Sequence, residues 1–411
     1  MSWHWLRVKY SWVVREMPRK RRTVRRKETV QQILRMIYNE GPVSRSELAD
    51  RLRLAVPSVM SALGPLIDSG LLSSSHVSLP VLGRSRQLVD LIPSAYYTIG
   101  VDAGPYATYC SLSDLRGRQL ISQDFPVCPK DYPTAVGFIA DAISTLLERS
   151  GADPDKVAGV GIGTPGFVDS SNGFVRHSTM HDWGNVWLAD DVKAITGFPC
   201  VVENNALCRS LSASMFEEKN LPDIFAYFYV AKGICCPVSI RGRGAPEQLP
   251  GELGHMIMEK DGPDCPTCGH KGCLEAVASE RAVEGQCKAL RASGQVTALP
   301  ATGDIGIAEV LEAARDGDRS VQAVLDTAMC YLGLALSNMV NLAGPELVLV
   351  DGYMFQEEQN KQTMLKAAKE NLFAIDITDV DIRFLVFDEW RTAWGAAAKA
   401  VERFVIEEEP V

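Results

Sequence analysis

The sequence predicts an α/β protein in which a small winged helix-turn-helix precedes a two-lobed α/β body. Three observations predict it. The first 95 residues hold three short helical patterns and a hairpin pattern. Strand and helix patterns then alternate over the rest of the 411-residue chain. Charge changes sign between the two parts: residues 1–95 carry 16 Lys+Arg against 7 Asp+Glu, and the other 316 carry 26 against 44. A head of +9 on a body of −18 points to a polyanionic partner at one end only.

Residues 1–27, with ten basic residues and one acid, read as a basic flexible arm that orders on nucleic acid. Met17 is an alternative start. The winged unit is expected over 28–94. Val30, Ile33, Leu34 and Ile37 fall on one helix face, and Gly41-Pro42 stops that helix. Ser44 and Glu47 form a capping box that opens a second helix. A tight turn at Arg53-Leu54-Ala55 leads to a third, with Val59, Leu63, Leu66 and Ile67 as its buried face and Gly70 as its stop. SSSHVSLPVLGRSR followed by QLVDLIP reads as the wing.

The body is expected over 95–405. Residues 98–102, 107–113, 119–125, 157–163, 224–231, 238–240 and 347–351 read as strands. Residues 133–149, 275–292, 307–316 and 320–343 read as helices. A cleft between two lobes is where a small ligand would sit. No apolar run approaches the roughly 18 residues of a membrane span, and the N-terminus lacks the order of a secretory signal. Eleven cysteines in such a chain argue for reduced thiols and a cytoplasmic protein.

GELGH (251–255) followed by CPTCGHKGCLE (265–275) carries the most specific chemistry. His255, Cys265, Cys268 and Cys273 are the ligand set of a closed, structural zinc site, one ion per chain, among glycines that let the backbone fold tightly. His270 is a rival fourth ligand, although beside a thiolate ligand it would strain the loop.

This run resembles the signature of the ROK family (repressor, open reading frame, kinase). The resemblance extends through GIGTPGFVDSSNGFV (161–175), VVENNALC (201–208) and LGLALSNMVNLAGPELVLVDG (332–352). The winged unit is similar to the DNA-binding head of the family's repressors of xylose and N-acetylglucosamine operons. One departure is the spacing of the first two cysteines, which the family separates by one residue and this chain by Pro266 and Thr267. The resemblance implies an actin/hexokinase-like (ribonuclease-H-like) body. It also implies sugar contacts from Asn204, Asn205, Glu252, His255 and Glu275, with His255 joining the zinc to the sugar.

The parts that resemble a kinase depart from the pattern. Asn205 stands where the family has the aspartate that serves as general base, and an amide cannot accept the proton. The first phosphate loop reads Asp102-Ala103-Gly104-Pro105-Tyr106, and the second, Ala231 to Pro237, has lost four of its five glycines. No catalytic residue is therefore assigned. In the head, the presumed recognition helix from Val56 to Ile67 has no Arg, Lys, Asn, Gln or His to read a base pair bidentately. DNA contacts are expected from Arg53, Ser58 and Ser61, with Met60 beside them, and from Arg84 and Arg86 in the wing.

The expected function is a carbohydrate-linked transcriptional regulator, as a repressor, with a catalytically degenerate sugar-sensing body. Its partners are double-stranded operator DNA and a sugar or sugar phosphate, in a homodimer or homotetramer that suits paired half-sites, without a membrane. The alternatives are a sugar kinase with a DNA-binding head, and a regulator whose body binds a protein.

Overall fold

Ser44 shows how the first unit is assembled. Its Oγ accepts from the Glu47 N–H at 3.2 Å, and the Glu47 carboxylate accepts from the Ser44 N–H at 2.9 Å, so the expected capping box forms. The computed structural model describes residues 20–78, 85–104, 107–178, 180–218, 221–240, 247–249, 251–295 and 297–408. The chain divides between Ile92 and Pro93 into two compact units.

The first unit runs α1 (Lys20–Glu40), β1 (Val43–Ser44), α2 (Arg45–Leu52), α3 (Val56–Asp68), β2 (Leu72–Ser78) and β3 (Ser85–Leu91). The strands pair antiparallel in the order β1-β3-β2, a wing behind three helices. Val30, Ile33, Leu34 and Ile37 are buried as the periodicity predicts. On α3 the buried face is Val59, Ala62, Leu63 and Leu66, and Ile67 is only half-buried because it sits at the edge of that face. Helix α1 begins at Lys20, so residues 20–27 of the expected flexible arm are helical. Residues 1–19 lie outside the described residues.

The second unit has two lobes. The first holds β4 (Tyr97–Ala103), β5 (Thr108–Asp114), β6 (Gln119–Phe125), α4 (Tyr132–Ser150) and β7 (Val157–Thr164). It continues through a small sheet, β8 (Phe167–Asp169), β9 (Phe174–Ser178) and β10 (Trp183–Val186), to α5 (Leu188–Thr196), β11 (Cys200–Asn204) and α6 (Asn205–Ser212). The second lobe holds β12 (Ile224–Val230), β13 (Ile234–Cys235), β14 (Val238–Ile240), β15 (Glu247–Leu249), α7 (Leu274–Ala278) and α8 (Glu280–Ala292). After α9 (Ile307–Arg315) and α10 (Arg319–Ala343) come β16 (Leu347–Asp351), α11 (Glu358–Asn371) and β17 (Asp381–Phe384). The chain then returns to the first lobe as α12 (Arg391–Ala400).

The main sheets repeat one pattern. Their orders are β11-β7-β4-β5-β6 and β15-β14-β12-β16-β17, with β13 also on β12. In each, the first strand pairs antiparallel on one side and parallel on the other. The parallel strands need crossovers, and the helices that supply them cover the sheets. One core joins β4, β5 and β7 to α4 through Ile99, Val101, Leu112, Ile139, Ile143 and Ile162. Another joins β12 and β16 to α10 through Phe228, Val230, Leu332, Leu336, Val348 and Val350.

One expectation is corrected. The long helical pattern at 275–292 is two helices, because Ser279 adopts extended backbone (φ −70, ψ 162) and its Oγ caps α8 through the Ala282 N–H at 3.2 Å. Helix α10 has the length and average composition of a membrane span, yet Gln322, Asp326, Ser337 and Asn338 interrupt its apolar residues. Its apolar residues Val321, Leu325, Leu332 and Leu336 instead supply the core of the second lobe.

Helix α12 lies unusually close to the first sheet. A Cβ on Gly161 would stand 1.8 Å from the Ala396 carbonyl oxygen, and the helix meets that strip with the buried Ala393, Ala396, Ala397 and Ala400. Overpacking of this kind costs about 1–3 kcal/mol. Gly161→Ala is therefore expected to lower the urea midpoint of the body. Gly137→Ala is the control: it lies within α4, meets open space and gains helix propensity, so it should hold or raise the midpoint. Equal midpoints for Gly161→Ala and the parent protein would show that the helix can move away freely.

Candidate functional site

Met256 leads out of a short 3-10 turn, Leu253–His255, and Ile257 bridges back to Cys273. A second bridge joins Asp264 to Lys271. Gly272 has φ +67, and a Cβ there would overlap the Glu259 carbonyl, so the hairpin can close only on glycine. Folding it this way gathers the ligand atoms of His255, Cys265, Cys268 and Cys273 within 4.8 Å of one another. Cys265 Sγ lies 3.7 Å from His255 Nδ1, and Cys268 Sγ 3.6 Å from Cys273 Sγ. Zn–S and Zn–N bonds near 2.3 and 2.0 Å set tetrahedral donors roughly 3.5–3.8 Å apart, so the donor set and its spacing fit such an ion. The cluster can hold a metal ion. His270 is exposed and stands outside this group.

His255 also lines a cavity of about 570 Å³ in the body, together with Asn204, Asn205, Glu252 and Glu275. The first lobe contributes the two asparagines from the β11–α6 junction, and the second lobe contributes the two glutamates and the histidine. The structure brings all five expected sugar-site residues to one wall system. Their roles are not equal. Asn204 is the N-cap of α6: its Oδ1 accepts from Ala206 and Leu207, and its Nδ2 donates to the Gly166 carbonyl at 2.9 Å. Glu252 is held above the usual carboxylate range by burial, with His255 opposing and Glu275 adding to the shift. Thr267, one of the two residues of the unusual cysteine spacing, lines the cavity and donates its hydroxyl to Glu275.

Sequence reasoning missed most of the opposite part of the cavity. Arg209 on α6 lines it and is only 2% exposed at its side chain. Its Nε donates to Asp351 at 2.7 Å, and another donor reaches the Asp388 carbonyl at 2.9 Å. Tyr227 also donates to Asp351, at 2.5 Å. Asp102 sits nearby, and burial pushes its carboxyl up to about 7 against the pull of Arg209 and the Thr392 hydroxyl. Lys232, in the run read as the second phosphate loop, is paired with Glu284. Burial likewise pushes Glu280 up to about 7 against the attraction of Lys232. Only Asp102 and the loss of glycines were visible in the one-dimensional pattern. Pro105 and Tyr106 of the first loop lie outside the described residues.

In the head, Arg53 is exposed at the left-handed C-cap of α2, with φ 53. Ser58 and Ser61 are exposed on α3 beside Met60, which is 50% exposed. Arg86 lies in β3 opposite Val77, and Arg84 lies outside the described residues.

Comparison with known proteins matches the ROK family over residues 98–403 and a winged helix-turn-helix DNA-binding family over residues 26–73. The N-acetylglucosamine repressor of Escherichia coli O157:H7 is 24% identical over 333 residues, 80% of each chain. The xylose repressor of Caldicellulosiruptor bescii is 26% identical over 326 residues, 77% of this chain and 81% of that one. The glucokinase of Thermotoga maritima is 35% identical over 217 residues, 51% of this chain and 67% of that one. In fold, the chain is similar to the crystal structure of a ROK family transcriptional regulator, a homolog of the E. coli MLC protein. That likeness has a TM-score of 0.80, 24% identity and coverage of 93% and 98% of the two chains. The fold class is thus a winged helix-turn-helix followed by an actin/hexokinase-like α/β body.

The clustered ligands make a direct expectation. Purified protein should carry one tightly held divalent metal per chain by elemental analysis, and Cys273→Ala should lose it. Full occupancy in Cys273→Ala would remove that thiol from the ligand set.

Proposed function

The chain belongs to the ROK family, and from that premise we propose that it is a cytoplasmic, DNA-binding repressor of carbohydrate genes whose body senses a sugar and does not phosphorylate it. One observation carries the reading: a winged helix-turn-helix and a ROK body with a cavity lined by Asn205, Glu252, His255 and Glu275 occupy the same chain. Two of the named relatives, matched over 77% and 80% of this chain, are repressors. Operator DNA is the partner of the head, in a homodimer or homotetramer, with Arg53, Ser58, Ser61, Arg84 and Arg86 as its contacts.

Zinc is the metal we assign to His255, Cys265, Cys268 and Cys273, where it would supply a structural cross-link for the hairpin. The hairpin positions His255 and Glu275, which with Glu252 and Asn205 present donors and acceptors to a polyhydroxyl ligand. Asn204 acts by holding the α6 N-terminus in place more than by direct contact, because its amide is already spent on the helix cap and Gly166.

The glucokinase relative favours a second reading, a kinase with a DNA-binding head. Against it, Asn205 has no proton-accepting carboxylate, and Lys232 already has an ionic partner in Glu284. With ATP, magnesium and a hexose panel, no turnover above background is expected, and Asn205→Asp should not restore it. Clear phosphorylation by the unmodified protein would favour the kinase.

Regulation is tested on DNA from upstream of the protein's own gene. The inducing sugar should change operator affinity by about 5–150-fold, and DNA should change sugar affinity by the same factor. Glu252→Ala should abolish this response while leaving sugar-free DNA binding intact. The log–log salt slope of binding should flatten by roughly two to five when residues 1–27 are deleted, if up to half of that segment's basic residues meet phosphates. Unchanged operator affinity with every sugar that binds would sink the sensing mechanism.

A further inference from the structure

The cavity is larger than one sugar ring requires. At about 570 Å³ it falls in the range that encloses a drug-sized molecule. Beyond Glu252, His255 and Glu275 its wall is aromatic and acidic, with Tyr109, Tyr229, Tyr353, Phe387 and Glu389 lining it. Tyr353 and Phe387 meet edge to face, 5.5 Å between ring centres, and Tyr109 donates to Glu389 at 2.9 Å while meeting Trp390 edge to face. Fixed rings of this kind offer flat apolar faces beside hydrogen-bonding rims. Both features suit a pyranose, which has C–H faces and an equatorial belt of hydroxyls.

The same wall is poorly suited to phosphate. Asp102, Glu280, Glu284, Glu309 and Glu389 line it against Arg209, Lys232 and Arg281. Lys232 is paired with Glu284, and Arg209 with Asp351, so two of those three cations are already compensated. Arg209 is further enclosed by the rings of Tyr229 at 4.7 Å and Phe387 at 5.4 Å. A phosphate dianion entering here would meet the carboxylates of Glu309 and Glu389 at low dielectric. Neutral hydroxyls meet acceptors instead. Asp102 and Glu280, held near neutrality by burial, can also donate.

We propose that this part of the cavity is a second carbohydrate subsite, and that the effector is an unphosphorylated glycoside of at least two rings. The proposal rests on the sugar-sensing reading and narrows its ligand class. One ring engages the Glu252–His255–Glu275 wall, and the next lies against Tyr353 and Tyr109.

Calorimetry on the full-length protein tests it. The probes are glucose, xylose and N-acetylglucosamine; the disaccharides cellobiose, maltose, xylobiose and chitobiose; glucose 6-phosphate and N-acetylglucosamine 6-phosphate; and the ATP analogue AMPPNP. At least one disaccharide should bind roughly tenfold more tightly than its monosaccharide, the gain expected of an added ring on an aromatic platform. Each 6-phosphate should bind more weakly than its parent sugar, and AMPPNP should not bind. Tyr353→Ala should erase the disaccharide advantage, and its thermal midpoint verifies folding. The comparison among ligands on the unmodified protein stands without any variant. Monosaccharide binding with no disaccharide gain, tighter binding of a phosphorylated sugar, or AMPPNP binding would each overturn the second subsite while leaving sugar sensing in place. Failure of every sugar to bind would overturn both.

Discussion

The buried pair between Arg209 and Asp351 is the interaction on which the body's geometry depends. Arg209 projects from α6 of the first lobe, and Asp351 ends β16 of the second. Both side chains are removed from water, at 2% and 0% exposure. An ion pair so buried recovers its desolvation cost only with good geometry and further hydrogen bonds. Those bonds come from Tyr227 to the carboxylate and from the guanidinium to the Asp388 carbonyl. Arg391, also on the first-lobe side, binds Glu217 and lies 3.9 Å from Asp351. The pair therefore joins the two lobes where Arg209 lines the cavity.

The pair also bears on the proposed sensing role of the body. A kinase needs cations and backbone donors facing an anion. Here the cations nearest the base are turned on internal carboxylates, and the carboxylates outnumber them. The charge that would stabilise a transferring phosphoryl group is spent on holding the protein together.

The hairpin around the Cys/His cluster works through geometry of a different kind. Separating Cys265 from Cys268 by two residues adds Thr267, and that hydroxyl is directed to Glu275, the cavity carboxylate that follows the last cysteine. The two-residue spacing thus reaches the cavity wall as well as the cysteine hairpin. It ties the orientation of Glu275 to the integrity of the cluster, the indirect support by which residues outside a binding wall tune it.

Much of this was legible in the sequence, because its signals are local. The capping box at Ser44, the helix face of Val30, Ile33, Leu34 and Ile37, and the strands at 119–125 and 347–351 follow from short-range pattern and agree with the structure. The gathering of His255, Cys265, Cys268 and Cys273 was readable for the same reason, since nineteen residues contain them all. The break at Ser279 was not, because a helical hydrophobic pattern continues across it while one serine side chain caps the second helix. Nor were the partners of α10, whose apolar residues pack on β12 and β16 in the core of the second lobe. Arg209, Glu284, Tyr109 and Tyr353 carry no motif that marks them as parts of one cavity. Arg209 and Asp351 are 142 positions apart, and Tyr109 and Glu389 are 280 apart. The sequence by itself determined most of the elements and where the Cys/His group clusters. Only the tertiary structure decided which charges cancel within the cavity, because cancellation depends on distance through space and on burial, neither of which the order of residues records.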